Sequence, residues 1–307
     1  MSASGGSKAI VAAFVANLGI AVAKFVGFII TGSSSMLAES VHSLADTGNQ
    51  GLLLFGRRRA TRDADDGHEF GYGRERFFWA FVVALVLFAL GSLFAIYEGV
   101  HKLQHPEPIN APMVAVVILG LAIVLEGFSL RTAVHEAHQM KGSRGILGFI
   151  RSTKNPELPT VLLEDIGALT GLVVALTALV ASWKIDPIYD GVGTLIIGGI
   201  LGLIAVFLAI EMKGLLIGEA ATPEDRADLI AAVESHPDVE RIIHLRTEHI
   251  GPESILVASK VAFRPGLTVA ELAQAIDSVE AAMRDVVPEA SLIYIEPDLY
   301  RSTSDVP

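Results

Sequence analysis

Cysteine is absent from all 307 residues. That absence excludes disulfides and thiolate metal ligands, and it removes the usual redox clue to compartment. Charge is scarce as well. Charged residues make up 19% of the chain against 51% hydrophobic ones, too apolar for a disordered chain and unusually apolar for a soluble one. The charge that exists is uneven. Residues 219–307 hold seven Lys/Arg and seventeen Asp/Glu, about ten of the eleven net negative charges, while the first 218 residues are nearly neutral. No basic stretch suits a nucleic acid. No nucleotide-binding motif and no Ser/His/Asp reaction centre can be placed, so the sequence signals neither ATP-driven pumping nor an enzyme. What remains is a membrane part, expected over residues 1–215, and an acidic soluble part over 216–307.

A membrane helix needs about 20 mostly apolar residues. Six stretches meet or approach this: 9–31, 38–57, 77–100, 112–134, 159–182 and 188–211. A short polar start, MSASGGSK, precedes the first. That run is longer than a signal-peptide core and lacks a clear small-residue cleavage site, so it is expected to be retained as a helix. Arg57, Arg58, Arg59, Arg62, Arg74 and Arg76 fall between the second and third stretches. Arg131, Lys141, Arg144, Arg151 and Lys154 fall between the fourth and fifth, and the opposite loops offer only Lys102 and Lys184. The positive-inside rule then puts both termini in the cytoplasm.

In the tail, Thr222-Pro223-Glu224-Asp225 has the form of a helix start. Two alternating runs at 239–247 and 254–263, split by Gly251-Pro252, read as a hairpin. Thr268 opens a second helix to about Val286, and a last strand covers 291–296. The order is αββαβ, an α+β fold of ferredoxin-like type.

The second and fifth apolar stretches are the weak ones, because ionisable groups interrupt them. Each such group in a membrane helix costs roughly 2.5–3.5 kcal/mol even on a lenient scale. His42 and Asp46 are four apart and share one helical face. Glu39 and Asn49 extend that stripe by three residues in either direction. Glu164 and Asp165 are adjacent, about 100° apart around their helix. An imidazole with two or three carboxylates suits Zn²⁺ and also admits Mn²⁺, Co²⁺ or Fe²⁺. A structural hydrogen-bond network and a metal-free proton path are the other arrangements that would put these groups there. A carrier of organic cations should offer aromatics near the carboxylates, and only Phe55, beyond the stripe, is available.

Other polar positions rank below these. Glu126 could face the same interior. Asp190, after Asp186-Pro187, suits the first turn of its own helix. Asp63, Asp65, Asp66 and His68 form a polar loop read as solvated, with a weak metal site at Asp65 and His68 as the alternative. Gly198 and Gly202 have the spacing of a helix-packing face.

The segments Ser40-Val-His-Ser-Leu-Ala-Asp46-Thr-Gly-Asn-Gln50 and His68-Glu-Phe-Gly-Tyr-Gly-Arg-Glu-Arg76, with the six-helix-plus-αββαβ layout, resemble the cation diffusion facilitator family. Leu162-Leu-Glu164-Asp165 and Asp186-Pro-Ile-Tyr-Asp190 are similar to its atypical branch, which includes the animal mitochondrial zinc transporter. The resemblance implies a homodimer that exchanges a divalent metal, Zn²⁺ first, for protons by alternating access. A bacterial plasma membrane is the expected location, with no resident cofactor. A membrane sensor or scaffold that binds metal without moving it is the alternative class.

The resemblance further implies a metal held between the second and fifth helices by two residues four apart on each. His42 and Asp46 match on the second. On the fifth Asp165 matches, but its partner position is Val161; Glu164 substituting is the favoured reading, with Glu39 or Asn49 completing the shell, or a retained water, as the alternatives. The loop site implied by the family would use Asp65, His68 and Tyr72, with Tyr where His is frequent. Its soluble-domain metal pair would fall on Ile243, Ser259, Tyr294 and Glu296, of which only Glu296 could ligate. His244 should face away from these positions and His249 should lie in the hairpin turn. The domain is therefore expected to dimerise without a metal cluster.

Overall fold

The computed structural model of the chain describes residues 18–140, Gly145, Ile150 and 153–301. Residues 9–17 of the first expected helix lie outside these, as do Lys141, Arg144 and Arg151 of the second basic loop. The described chain divides into two compact units. One contains the residues up to Arg58 and Phe77–Lys213, and the other contains Arg59–Arg76 with Gly214 onward.

The first unit is helical. Its elements are α1 (Leu18–Thr31), α2 (Ser34–Ala60), α3 (Glu75–Gln104), α4 (Pro112–Met140), α5 (Glu157–Lys184) and α6 (Ile188–Ile217). The ends of α2, α3 and α6 run into the second unit. Helices α3 to α6 are each long and apolar enough to cross a membrane. Leu203, Ile210, Val117, Leu121 and Phe128 point outward with more than half of their surface exposed, as lipid-facing side chains do. Inside, Met36, Leu87, Leu119, Leu172, Leu179, Ile197, Leu201 and Leu208 build one core. A π-helical segment at Leu87–Leu93 brings Ser92 against α6, where its Oγ donates to Gly198 O at 2.8 Å. Gly198 and Gly202 both meet this wall of α3, so they serve close packing, as their spacing predicts.

Helix α2 is built differently. Its buried face carries Glu39, His42, Ser43, Thr47 and Asn49, whereas Leu44, Leu54 and Phe55 are exposed. Its apolar outer face and polar inner face invert the usual pattern of a helix in water. The start of α2 is fixed by another helix. Asp190 of α6, fully buried, accepts from Ser34 N (2.7 Å) and Ser35 N (3.4 Å), and from the Ser33 and Ser34 hydroxyls at 2.8 and 3.0 Å. These amides are the orphan donors of a helix N-terminus. Asp190 lies in the first turn of α6, as its position in the sequence predicts, and from there its carboxylate also caps α2.

The second unit holds α7 (Pro223–Glu234), β1 (Val239–Gly251), β2 (Ser254–Phe263), α8 (Val269–Val286) and β3 (Leu292–Pro297), the expected αββαβ order. The sheet runs β1-β2-β3, with β1 and β2 antiparallel and β2 and β3 parallel. Thr222 caps α7 by accepting from Asp225 N, with Pro223 in the first turn. Thr268 and Glu271 form a reciprocal capping box at α8. Leu229, Val233, Val257, Val261, Val279 and Met283 fill the space between helices and sheet. His249 is corrected from turn to strand. It pairs with Ile255, its N–H donates to Glu219 O at 2.8 Å, and its side chain is buried.

The 59–76 segment belongs to this unit through β1. Arg74 forms an ion pair with Glu248, and Arg76 one with Glu253 at 3.5 Å. Gly73 meets the β1 backbone so closely that a Cβ would stand 2.6 Å from Ile250 O and 2.9 Å from Gly251 Cα. Only glycine permits that approach.

Candidate metal-ion site

The polar stripe of α2 is the centre of the site. His42 is completely buried, and its Nδ1 lies 3.4 Å from Asp46 Oδ1, the one-turn spacing the sequence predicts. One turn further on, Asn49 Nδ2 donates to Glu164 Oε1 of α5 at 2.7 Å. Helices α2 and α5 therefore touch through a polar pair beside His42 and Asp46. Asp165 turns the other way and accepts from Ser129 Oγ of α4 at 2.8 Å. Val161, half-buried, occupies the position one turn before it.

The four groups fall into two pairs: His42 and Asp46 on α2, and Glu164 and Asp165 on α5, where Glu164 accepts from an amide and Asp165 from a hydroxyl of a neighbouring helix. Glu164 and Glu126 both lie within electrostatic range of Asp46, and Glu126 also acts on Glu39 and Asp165. Among the described residues, no three His, Asp or Glu side chains converge closely enough to hold a metal ion.

The buried polar atoms are the chemical signature. His42 Nδ1 and Nε2, Asp46 Oδ1, Asn49 Oδ1 and Glu39 Oε1 all lack a hydrogen-bond partner among the described residues. A buried polar group left this way costs about 1–3 kcal/mol. Five such atoms on one helix face make a donor set of one imidazole, carboxylates and an amide oxygen. That set fits Zn²⁺, and equally the more oxygen-loving Mn²⁺ or Fe²⁺.

A buried cation also borders the stripe. Lys24 of α1 is fully buried and donates to Glu39 Oε2 at 3.1 Å and Ser43 Oγ at 2.7 Å. The available signal was a single ammonium inside the first apolar run, where any charge needs a partner.

The loop site is of another kind. Asp65 is about half exposed and accepts from Gly67 N, His68 N and Tyr72 Oη at 3.0, 2.9 and 2.7 Å. The Tyr72 hydroxyl holds the Asp65 carboxyl below its usual range, and the same contact pushes the Tyr72 phenol up. His68 Nδ1 is 3.7 Å from Asp65 Oδ1, and its ring packs on Tyr72. In the sheet, Ser259 is buried, Tyr294 exposed, and Glu296 is tied to Lys260 at 3.1 Å. His244 is exposed opposite Lys260, and Ile243 lies in a register irregularity of β1.

Residues 10–217 match the cation efflux transmembrane domain and 221–298 match the cation efflux protein cytoplasmic domain. The chain belongs to the cation diffusion facilitator family, whose members are transporters and not enzymes. It is 32% identical over 243 residues to the human protein named proton-coupled zinc antiporter SLC30A9, mitochondrial, covering 78% of this chain and 43% of that one. Metal tolerance protein C4 of Arabidopsis thaliana is 31% identical over 265 residues, 85% of this chain and 58% of the relative. The cation-efflux pump FieF of Escherichia fergusonii is 27% identical over 288 residues, 94% and 91% of the two chains. The chain thus spans about half the length of the human and plant relatives.

Proposed function

We propose that this protein exports a divalent metal ion, Zn²⁺ first, in exchange for protons. The observation that carries the reading is the fully buried His42 beside Asp46, with nitrogen and oxygen atoms that lack hydrogen-bond partners inside the helical unit. His42, Asp46, Glu164 and Asp165 are the proposed ligands, with Glu39, Asn49 and Glu126 around them. Glu164 uses only Oε1 toward Asn49 and Asp165 only Oδ2 toward Ser129, so each keeps a second oxygen for an ion. Bringing the two pairs onto one ion is the local movement that alternating access would require.

Protons compete with the metal because every ligand must be deprotonated to bind it. An inward gradient of protons therefore drives release on the far side. The working unit is a homodimer through the C-terminal domain, in line with the match to cation efflux cytoplasmic domains. We assign six spans, α1 to α6, with domains at 1–215 and 216–307, both termini cytoplasmic, and a bacterial plasma membrane as the location. The same oxygen-rich donor set favours Mn²⁺, Fe²⁺ or Co²⁺ as the second substrate reading.

The test is flux. In proteoliposomes with an imposed pH gradient, the wild-type chain moves Zn²⁺, and His42→Ala or Asp46→Ala brings uptake to the level of protein-free vesicles. Unchanged uptake in either variant removes the assignment. Saturable zinc binding without any flux would make the chain a membrane sensor or scaffold.

A further inference from the structure

Lys24 is the one ammonium buried completely in the described helical unit. It binds α2 at two points one turn apart, Glu39 and Ser43, and Ser43 directly follows His42. Its charge reaches His42, Asp46 and Glu126. Glu39 is equally buried. Its second oxygen, Oε1, abuts α5 at Gly171, where a Cβ would stand 2.5 Å away. A side chain there would have to displace the carboxylate from this position. Helix packing alone gives no reason for this pair, since replacing a buried ion pair by apolar side chains is commonly neutral or stabilising.

We propose that Lys24 is a positioning residue of the transport site, holding Glu39 out of the ion's coordination set so that a bound divalent ion can leave. This rests on the reading of His42 and Asp46 as that site. Glu39 lies one turn from His42 on the same stripe, so a free Glu39 carboxylate would add a further negative charge beside the ion. Paired with Lys24 it adds none. Removing Lys24 releases that charge, which tightens binding and slows release. Removing the Glu39 charge instead leaves the ammonium uncompensated, and it repels the arriving dication. The two single changes therefore act in opposite directions.

The experiment measures Zn²⁺ affinity of the purified full chain in detergent by indicator competition at one neutral pH, with thermal unfolding of each metal-free variant alongside. Lys24→Met lowers the Kd about tenfold, Glu39→Gln raises it about tenfold, and the double variant returns to within about twofold of wild type. In proteoliposomes Lys24→Met lowers KM and kcat together, and Lys24→Arg keeps wild-type values. A pair that only holds α1 to α2 would lower the unfolding temperature in both singles and move both Kd values the same way or not at all, which overturns the proposal. Should Lys24→Met fail to fold, Glu39→Gln and the double variant, which carries no lone charge, decide it: weaker binding restored in the double supports it, and any other pattern overturns it. His42→Ala separates the two readings. If it binds Zn²⁺ as tightly as wild type, the site assignment itself is wrong. If it loses binding while the Kd ignores Lys24 and Glu39, only the role of Lys24 is wrong.

Discussion

The α2 stripe and the 59–76 loop carry similar residues, a His with Asp three or four positions away, and treat them in opposite ways. In the loop, Asp65 is surrounded by its own donors: two backbone amides and a phenol, with His68 and Arg62 at ion-pair range. The cluster satisfies itself and stands in solvent. In α2, His42 is completely buried and Asp46 is 15% exposed; they stand 3.4 Å apart, and both ring nitrogens and Asp46 Oδ1 lack a hydrogen-bond partner among the described residues. Residue type alone does not make a metal site. What separates the two regions is unsatisfied capacity in a place where leaving it unsatisfied is costly.

That contrast can be broken by mutation. The largest effect belongs to His42→Ala and Asp46→Ala, which remove zinc flux entirely. Next is Asp190→Ala, which strips the carboxylate that caps α2. It leaves the Ser34 and Ser35 amides buried without an acceptor and lowers stability by about 1–3 kcal/mol, read by denaturant unfolding in detergent. Asp65→Ala follows, with zinc flux staying within about twofold of wild type because both Asp65 oxygens are already taken by the Gly67 and His68 amides and the Tyr72 hydroxyl. A tenfold loss there would mean that the loop takes part in transport.

The smallest effect is on the pH response of the loop. Asp65 has a depressed pKa, so its contribution to loop stability is present above the ordinary carboxylate value of about 3.9 and is lost as pH falls through the folded value. Tyr72 has a raised pKa, so its contribution is present below about 10 and is lost as pH rises through the folded value. Limited proteolysis of the loop should therefore rise at both extremes in the wild-type chain. In Tyr72→Phe the rise at high pH disappears, and the rise at low pH begins nearer the ordinary carboxylate value.

Much of this was legible in the sequence, for identifiable reasons. The αββαβ order followed from the Thr222 and Thr268 caps and from period-two alternation, all of them local signals. Helix α2 was found in spite of its polar stripe because the stripe keeps helical period. Its start at Ser34 and not at 38 could not be read locally, since Asp190, distant in sequence, supplies the cap. The attachment of the 59–76 segment to β1 was hidden for the same reason: Gly73 looks like any loop glycine until Ile250 is beside it. His249 was misplaced because Gly251 was taken as the break, whereas the strand continues up to it. At the site, the His42–Asp46 pair was fixed by helical spacing. The directions of Glu164, toward Asn49, and of Asp165, toward Ser129, depend on three helices at once. Lys24 escaped because one lysine barely changes the hydropathy of a 23-residue apolar run.

The His42–Asp46 pair on α2, and not the exposed cluster in the loop, is proposed to receive the ion. Calorimetric titration of Zn²⁺ into the wild-type, Asp46→Ala and Asp65→Ala chains in detergent tests it most directly. The account predicts that Asp46→Ala loses the tightest binding event and that Asp65→Ala keeps it with an unchanged Kd. Tight binding that survives Asp46→Ala and disappears in Asp65→Ala would contradict it.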